Sequence, residues 1–191
     1  MHKFLVALFC LGLMVLPLSA QDNPRAEVFG GYQYLHFGTI TVDGQQVPGS
    51  SEGFNGWNAS LTGYFTRHLG IEGNFGGGYD TSDGVSTHVY TYTGGPVFAV
   101  HADRLKPFVH ALFGGIHITG SSSGLSVSQT GFTMMFGGGI DAALNRTFAI
   151  RVIQADWLYY HFGSQTVLGV EVPAFSQSNN VRIASGIVVR F

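Results

Sequence analysis

Val181-Arg182-Ile183-Ala184-Ser185-Gly186-Ile187-Val188-Val189-Arg190-Phe191 is the stretch that decides the fold. Val181, Ile183, Ile187, Val189 and Phe191 are apolar at every second position, interrupted only by Ser185. Arg182, Ala184, Gly186, Val188 and Arg190 stand between them. A period of two puts the first set on one face of a strand and both arginines on the other. A strand buried in a soluble core rarely stops on an exposed aromatic. A chain whose last strand ends on Phe191 suits a barrel closed by that strand, with one face in lipid.

The opposite end agrees. Met1-His2-Lys3 is a short basic start, Phe4 to Leu16 is almost unbroken apolar sequence, and Pro17-Leu18-Ser19-Ala20 leads into polar Gln21-Asp22-Asn23. This predicts a secretory signal peptide over residues 1–20, cut between Ala20 and Gln21. The apolar run is shorter than the roughly 20 residues a spanning helix needs. Cutting there removes Cys10, the one cysteine, and leaves residues 21–191 as a single domain without a disulfide framework. Ala7-Leu8-Phe9 lacks the small residues that precede a lipoprotein cysteine. Beyond the leader, Lys106 and seven arginines face eleven acidic residues. That balance argues against nucleic acid, which needs clustered Lys and Arg.

Glycine stands out at 28 residues, beside 16 Phe and 8 Tyr, with only 10% charged residues. Disordered glycine-rich tails lack so many large aromatics. In a small barrel, glycine relieves crowding inside and aromatics sit at the membrane interfaces.

Eight stretches read as strands: Ala26 to Phe37, Phe54 to Phe65, Leu69 to Tyr79, Thr87 to Ala99, Pro107 to Ile118, Gly131 to Ala142, Phe148 to Tyr160 and Asn180 to Phe191. Each approaches or exceeds the 9–11 residues a tilted strand needs to cross a bilayer. Short polar turns near Arg67, Asp103 and Arg146 alternate with longer links over Gly38 to Gly53, Asp80 to Ser86, Thr119 to Thr130 and Phe162 to Asn179. Short turns at one rim and long loops at the other predict an all-β, eight-stranded antiparallel up-and-down transmembrane β-barrel.

Alternation assigns the faces. Trp57, Ala59, Leu61 and Phe65 oppose Asn58, Ser60 and Thr62; Leu69, Ile71, Phe75 and Tyr79 oppose Glu72 and Asn74. Phe132, Met134, Phe136 and Ile140 oppose Thr133, Gly137, Gly139 and Asp141. The expected lumen is therefore polar or glycine-lined. In the fifth strand His110 and His117 have opposite parity. In the seventh, Arg151 is odd-numbered while Gln154 and Asp156 are even, so either a bulge near Ile153 restores the parity or Arg151 snorkels to the rim.

At this point the chain resembles the small outer-membrane barrels typified by the membrane domain of outer-membrane protein A, over nearly all of the mature chain. Gly186, Val189 and Phe191 match the C-terminal signal of that group, with Ala184 where a polar residue is usual. Glu27-Val28-Phe29-Gly30-Gly31-Tyr32 is similar to its opening strand. The resemblance implies residence in a bacterial outer membrane, contact with its lipids, and insertion by barrel-assembly machinery and periplasmic chaperones that read those three residues. The periplasmic peptidoglycan-binding domain of some members is not expected after Phe191.

Evidence for chemistry is thin. His161-Phe162-Gly163-Ser164 is one residue longer than the His-x-Ser spacing that keeps imidazole and hydroxyl on one strand face, as a lipid-deacylating barrel would need. Seven histidines (His36, His68, His88, His101, His110, His117 and His161) follow the leader without a zinc-ligand pattern, so neither metal nor cofactor is expected. Gly73-Asn74-Phe75-Gly76-Gly77-Gly78 and Gly137-Gly138-Gly139 lack the following helix of a phosphate loop. Glu72, Asp141, Arg182 and Arg190, with Arg151 and Asp156 as further members, are expected to pair in a charge network that plugs the lumen, because isolated buried charges are costly. Which groups pair stays open. The expectation is a non-catalytic barrel with a structural or adhesion-like surface role in its outer loops, whose ligand the sequence does not indicate. The alternatives are a narrow gated pore, a lipid-modifying barrel enzyme, or a soluble lipocalin-like ligand-binding barrel.

Overall fold

Exposed and buried side chains alternate through the central part of each long strand of the computed structural model, which describes residues 25–38, 41–42, 45–46, 52–82, 84–102, 104–122, 125–167, 170–172 and 175–191. The expected leader and its cut between Ala20 and Gln21 lie outside these residues. Eight strands close into one antiparallel barrel: β1 (Ala26–Phe37), β2 (Glu52–Tyr64), β3 (Leu69–Ser82), β4 (Val85–Ala99), β5 (Leu105–Ser122), β6 (Leu125–Ala143), β7 (Phe148–Phe162) and β8 (Phe175–Arg190). Each strand pairs with its sequence neighbours, and β1 pairs with β8 to close the ring. No sheet edge is then left to lipid, where an unpaired backbone group costs several kcal/mol. Two small hairpins, Thr41–Val42 with Gln45–Gln46 and Gln165–Val167 with Val170–Val172, lie in the two longest connections.

The tilt follows from the register. The Tyr64 amide donates to the Arg25 carbonyl, and Tyr64 pairs with Gly70. The row then runs through Val97, His110, Gly137, Asp156 and Arg182 to Leu35. One circuit thus returns to β1 ten residues above its start, from Arg25 to Leu35. With strands ~4.8 Å apart and a rise of ~3.3 Å per residue, that stagger tilts the strands by about 40°. Eight strands at this tilt enclose a space that side chains fill.

Two expected loops are strand instead. The composition of Thr119 to Thr130 predicts a loop, yet β5 reaches Ser122 and β6 begins at Leu125. In Asp80 to Ser86 the pairing continues to Ser82 with Val85, and Gly84 has φ of 78°, a left-handed conformation open to glycine. Serine, threonine and glycine read as loop residues, but two polar faces suit a hairpin standing in water. The β5–β6 hairpin, with strands of 18 and 19 residues, therefore runs well past the 9–11 residues a bilayer requires.

The seventh strand contains the bulge. Ile140 pairs with Ile153 while Asp141 pairs with Arg151, so Val152 is the extra residue. Val152 and Ile153 both face outward, and Arg151, Gln154 and Asp156 all face the lumen. Arg151 does not snorkel.

The lumen departs from the polar lining expected of it. Leu35, Phe37, Phe54, Val89, Leu112, Ile116, Met135, Leu158, Tyr160 and Phe162 form a buried apolar cluster in its loop-side half. Smaller clusters, Phe29-Ala149-Ala184-Val188 and Val97-Ala99-Phe108, lie toward the turns. Large side chains fill the interior where polar residues would need further partners, so the apolar periodicity continues inward on alternate residues.

Candidate functional site: the lumen network and the outward-facing ring

Between these apolar layers lies one continuous polar network drawing on seven of the eight strands. Lys106 of β5 contacts Glu27 of β1 and lies 3.1 Å from Asp141 of β6. The Tyr64 hydroxyl donates to Glu27 at 3.2 Å. Asp141 accepts two bonds from Arg151, at 2.8 and 3.3 Å. Arg151 also lies 4.3 Å from the ring centroids of both Phe29 and Phe108, a cation between two aromatic faces. Its third donor reaches Gln154 at 2.7 Å, and Gln154 donates to Asp156 at 2.8 Å.

Asp156 is the hub. It accepts from the Nε of Arg182 at 2.8 Å and lies 2.8 Å from the Nε2 of His110. The other His110 nitrogen lies 3.1 Å from Glu72, which also accepts from Asn74 at 3.0 Å. Asn74 accepts from Arg182 and from Asn58, each at 2.8 Å. Glycine makes the centre possible: a Cβ on Gly137, in the row between His110 and Asp156, would lie 2.1 Å from an Asp156 carboxylate oxygen.

Both His110 nitrogens face carboxylate oxygens, an arrangement that an imidazolium satisfies by donating through both. Four carboxylates (Glu27, Glu72, Asp141, Asp156) then meet four cations (Lys106, His110, Arg151, Arg182). A dry interior tolerates such a set only when it is balanced and hydrogen-bonded.

Of the six charged residues expected in the network, the structure brings together Glu72, Asp141, Arg151, Asp156 and Arg182. Arg190 stands apart: it is half-buried at the turn-side rim and donates to the carbonyls of Asn145 and Phe148. Near the chain terminus the strand has left the packed interior, and rim carbonyls are its nearest acceptors. Glu27, Lys106 and His110 were not foreseen. Glu27 shares parity with the inward Phe29 and Gln33, and His110 shares parity with Lys106. The strand pattern read from sequence begins at Pro107, whereas β5 begins at Leu105 and so includes Lys106.

Gly186 packs against Gly31, where a Cβ would meet the Gly31 Cα at 2.5 Å. Val189 pairs with Val28, and exposed Phe191 donates its amide to Ala26. At the same rim His101 is half-buried edge-on to Tyr64. Burial first, then nearby Lys106, holds its imidazole below the ordinary histidine range.

His161 faces outward and is bonded at 2.7 Å not to Ser164 but to Ser176, its register partner on β8, which also accepts from the Tyr159 hydroxyl at 3.1 Å. Among the described residues no carboxylate bonds to His161, and no group of three metal-ligating side chains converges.

The family described as "Outer membrane protein beta-barrel domain" matches the chain over residues 8–191. Among solved structures, Neisserial surface protein A is similar at 10% identity with a TM-score of 0.63, covering 90% of this chain and 100% of its own. Ail, the attachment invasion locus protein of Yersinia pestis, is similar at 19% identity and TM-score 0.54, covering 88% and 99%. The N-terminal β-barrel domain of Pseudomonas aeruginosa OprF is similar at 13% identity and TM-score 0.55, covering 89% and 100%. Likeness at these identities is one of fold. No curated protein matches the chain.

Proposed function

From the premise that the chain belongs to the outer-membrane β-barrel protein family, whose place is the bacterial outer membrane, we propose that it acts through the parts that project outside that membrane. Its lumen is a structural plug, and its role is surface interaction, adhesion-like in kind, without catalysis. One observation carries this reading: a balanced ion network and an apolar cluster fill the lumen, while the β5–β6 hairpin continues well past membrane length. The similar barrel of Ail, named for attachment and invasion, agrees with it in architecture alone.

The same reading includes biogenesis. Residues 1–20 direct export and are removed. Gly186, Val189 and Phe191 then present the last strand to barrel-assembly machinery after periplasmic chaperones deliver the chain into outer-membrane lipid.

The test replaces residues 119–128 with a two-residue turn. Cells bearing the full-length or the shortened protein are compared for attachment to immobilised matrix proteins and for self-aggregation, with heat-dependent gel mobility confirming equal barrel content. Loss of attachment or aggregation on shortening is the expected result. Equal behaviour of both, repeated when the connections at 38–51 and 163–174 are shortened, would overturn the reading.

A further inference from the structure

Four histidines, one each on β1, β4, β5 and β7, face outward at one level. Counted from the turn-side end of its strand, His36 is ten residues beyond Ala26, His88 eleven from Ala99 and His117 twelve beyond Leu105. His161 is thirteen beyond Phe148, one of them the bulge. At ~3.3 Å per residue and a tilt near 40°, all four stand about 25–31 Å above the turn rim. The apolar band of such barrels is about 25 Å tall, so this level is its loop-side boundary, where headgroups begin.

Nothing else on that face can carry a positive charge. The arginines at 25, 67, 104, 146 and 190 belong to the turn side, and Lys106, Arg151 and Arg182 point into the lumen. By sequence, the connections over 38–51 and 163–174 hold neither lysine nor arginine. Among the described residues, aromatic and hydroxyl groups stand beside the four rings. His36 stacks on Tyr34 and has Gly53 and Val181 as register partners. His88 meets the Tyr79 ring edge-on and pairs with Thr119. His117 bonds to Thr130 at 2.7 Å and Thr119 at 3.3 Å, beside Tyr90. His161 bonds to Ser176, with Phe132 and Tyr159 alongside. Among the described residues the tyrosines are the other titratable groups on this face at this level, and by sequence the connections over 38–51 and 163–174 carry Asp43 and Glu171. Glu52 and Asp80, the acids of these strands at this height, have the parity of the lumen mouth.

We propose that this ring docks the anionic phosphate headgroups of outer-leaflet lipids when its imidazoles are protonated. An imidazolium supplies charge and, where a ring N–H is not already given to a hydroxyl, a donor to a phosphate oxygen; at His117, whose two nitrogens face Thr130 and Thr119, those hydroxyls donate onward instead, as Ser176 can beside His161. The inference rests on the membrane seating of the barrel and is independent of any role for the outer hairpins.

The chain carries its own reporters. Trp57 and Trp157, its two tryptophans, face outward in the loop-side half of the band. The full-length barrel is reconstituted in phosphatidylcholine containing brominated phosphatidylglycerol, and quenching of tryptophan fluorescence gives the relative affinity for the anionic lipid. From pH 8 to pH 5 that affinity is expected to rise about fivefold, the worth of one charge near a membrane surface. The rise should persist in His68→Gln/His101→Gln, which alters only turn-side histidines, and vanish in His36→Gln/His88→Gln/His117→Gln/His161→Gln. Heat-dependent gel mobility verifies the fold of each variant. If the fourfold variant does not form the barrel, each single substitution is expected to diminish the rise. No rise in the unaltered protein, or a rise that the outer substitutions leave intact, would overturn the proposal.

Discussion

Replacing Arg182 with methionine removes the largest side chain sealed in the lumen, 1% exposed, and leaves its partners behind. Arg182 lies 2.7 and 2.8 Å from one Asp156 oxygen and 2.8 Å from Asn74. At ~4 Å between charge centres and an effective dielectric near 20, the lost attraction is ~4 kcal/mol. Asp156 retains His110 and Gln154, which offsets part of it, so we expect a cost of about 3–4 kcal/mol, in the range for a broken buried pair. With a urea slope of ~1–3 kcal/mol per molar, the unfolding midpoint falls by roughly 1–4 M. Trp57 and Trp157 fluorescence in lipid vesicles reads the transition, and gel mobility checks closure. Adding Asp156→Asn rebalances the lumen at three charges of each sign, so the double variant should be more stable than the summed single costs by about 1–3 kcal/mol. A midpoint unmoved by Arg182→Met, or single costs that simply add, would refute the balanced-network reasoning.

His110→Gln leaves Glu72 and Asp156 without their shared cation and should cost about 2–4 kcal/mol at pH 7, part of it recovered by adding Glu72→Gln, in the same urea titration. Gly137→Ala forces a methyl into the space of Asp156 and against the Ala155 carbonyl, 2.3 Å away; a loss of about 2–3 kcal/mol or failure to give the heat-shifted band is expected. His101 has its imidazole held low in the fold, so the unfolded chain binds more protons below the ordinary histidine range and stability falls as pH drops through about 6.5. Urea midpoints at pH 7.5 and 5.5 should therefore draw closer together in His101→Gln than in the unaltered protein.

Much of the barrel was legible because a period of two is a local signal. Phe132 against Thr133, or Leu61 against Thr62, assigns a face without any knowledge of the neighbouring strand. Strand ends were less legible. Ser121, Ser122, Ser126 and Ser128 have loop composition, and their pairing across β5 and β6 depends on the partner strand. The bulge could be inferred from the clash of parity between Arg151 and Asp156, but its choice over snorkelling required Asp141 to be opposite Arg151. The network itself was only half visible. Glu72 and Arg182 reveal their faces, whereas the meeting of His110 with Asp156 depends on a register that crosses Gly137. Long-range pairing of this kind leaves no local pattern.

Whether the lumen is a plug or a path is tested most directly by planar-bilayer recording of the purified full-length barrel. The sealed network and apolar cluster predict no steady conductance above that of the lipid. Regular ohmic steps, altered in size or selectivity by Glu72→Gln, would contradict the account and place function inside the barrel.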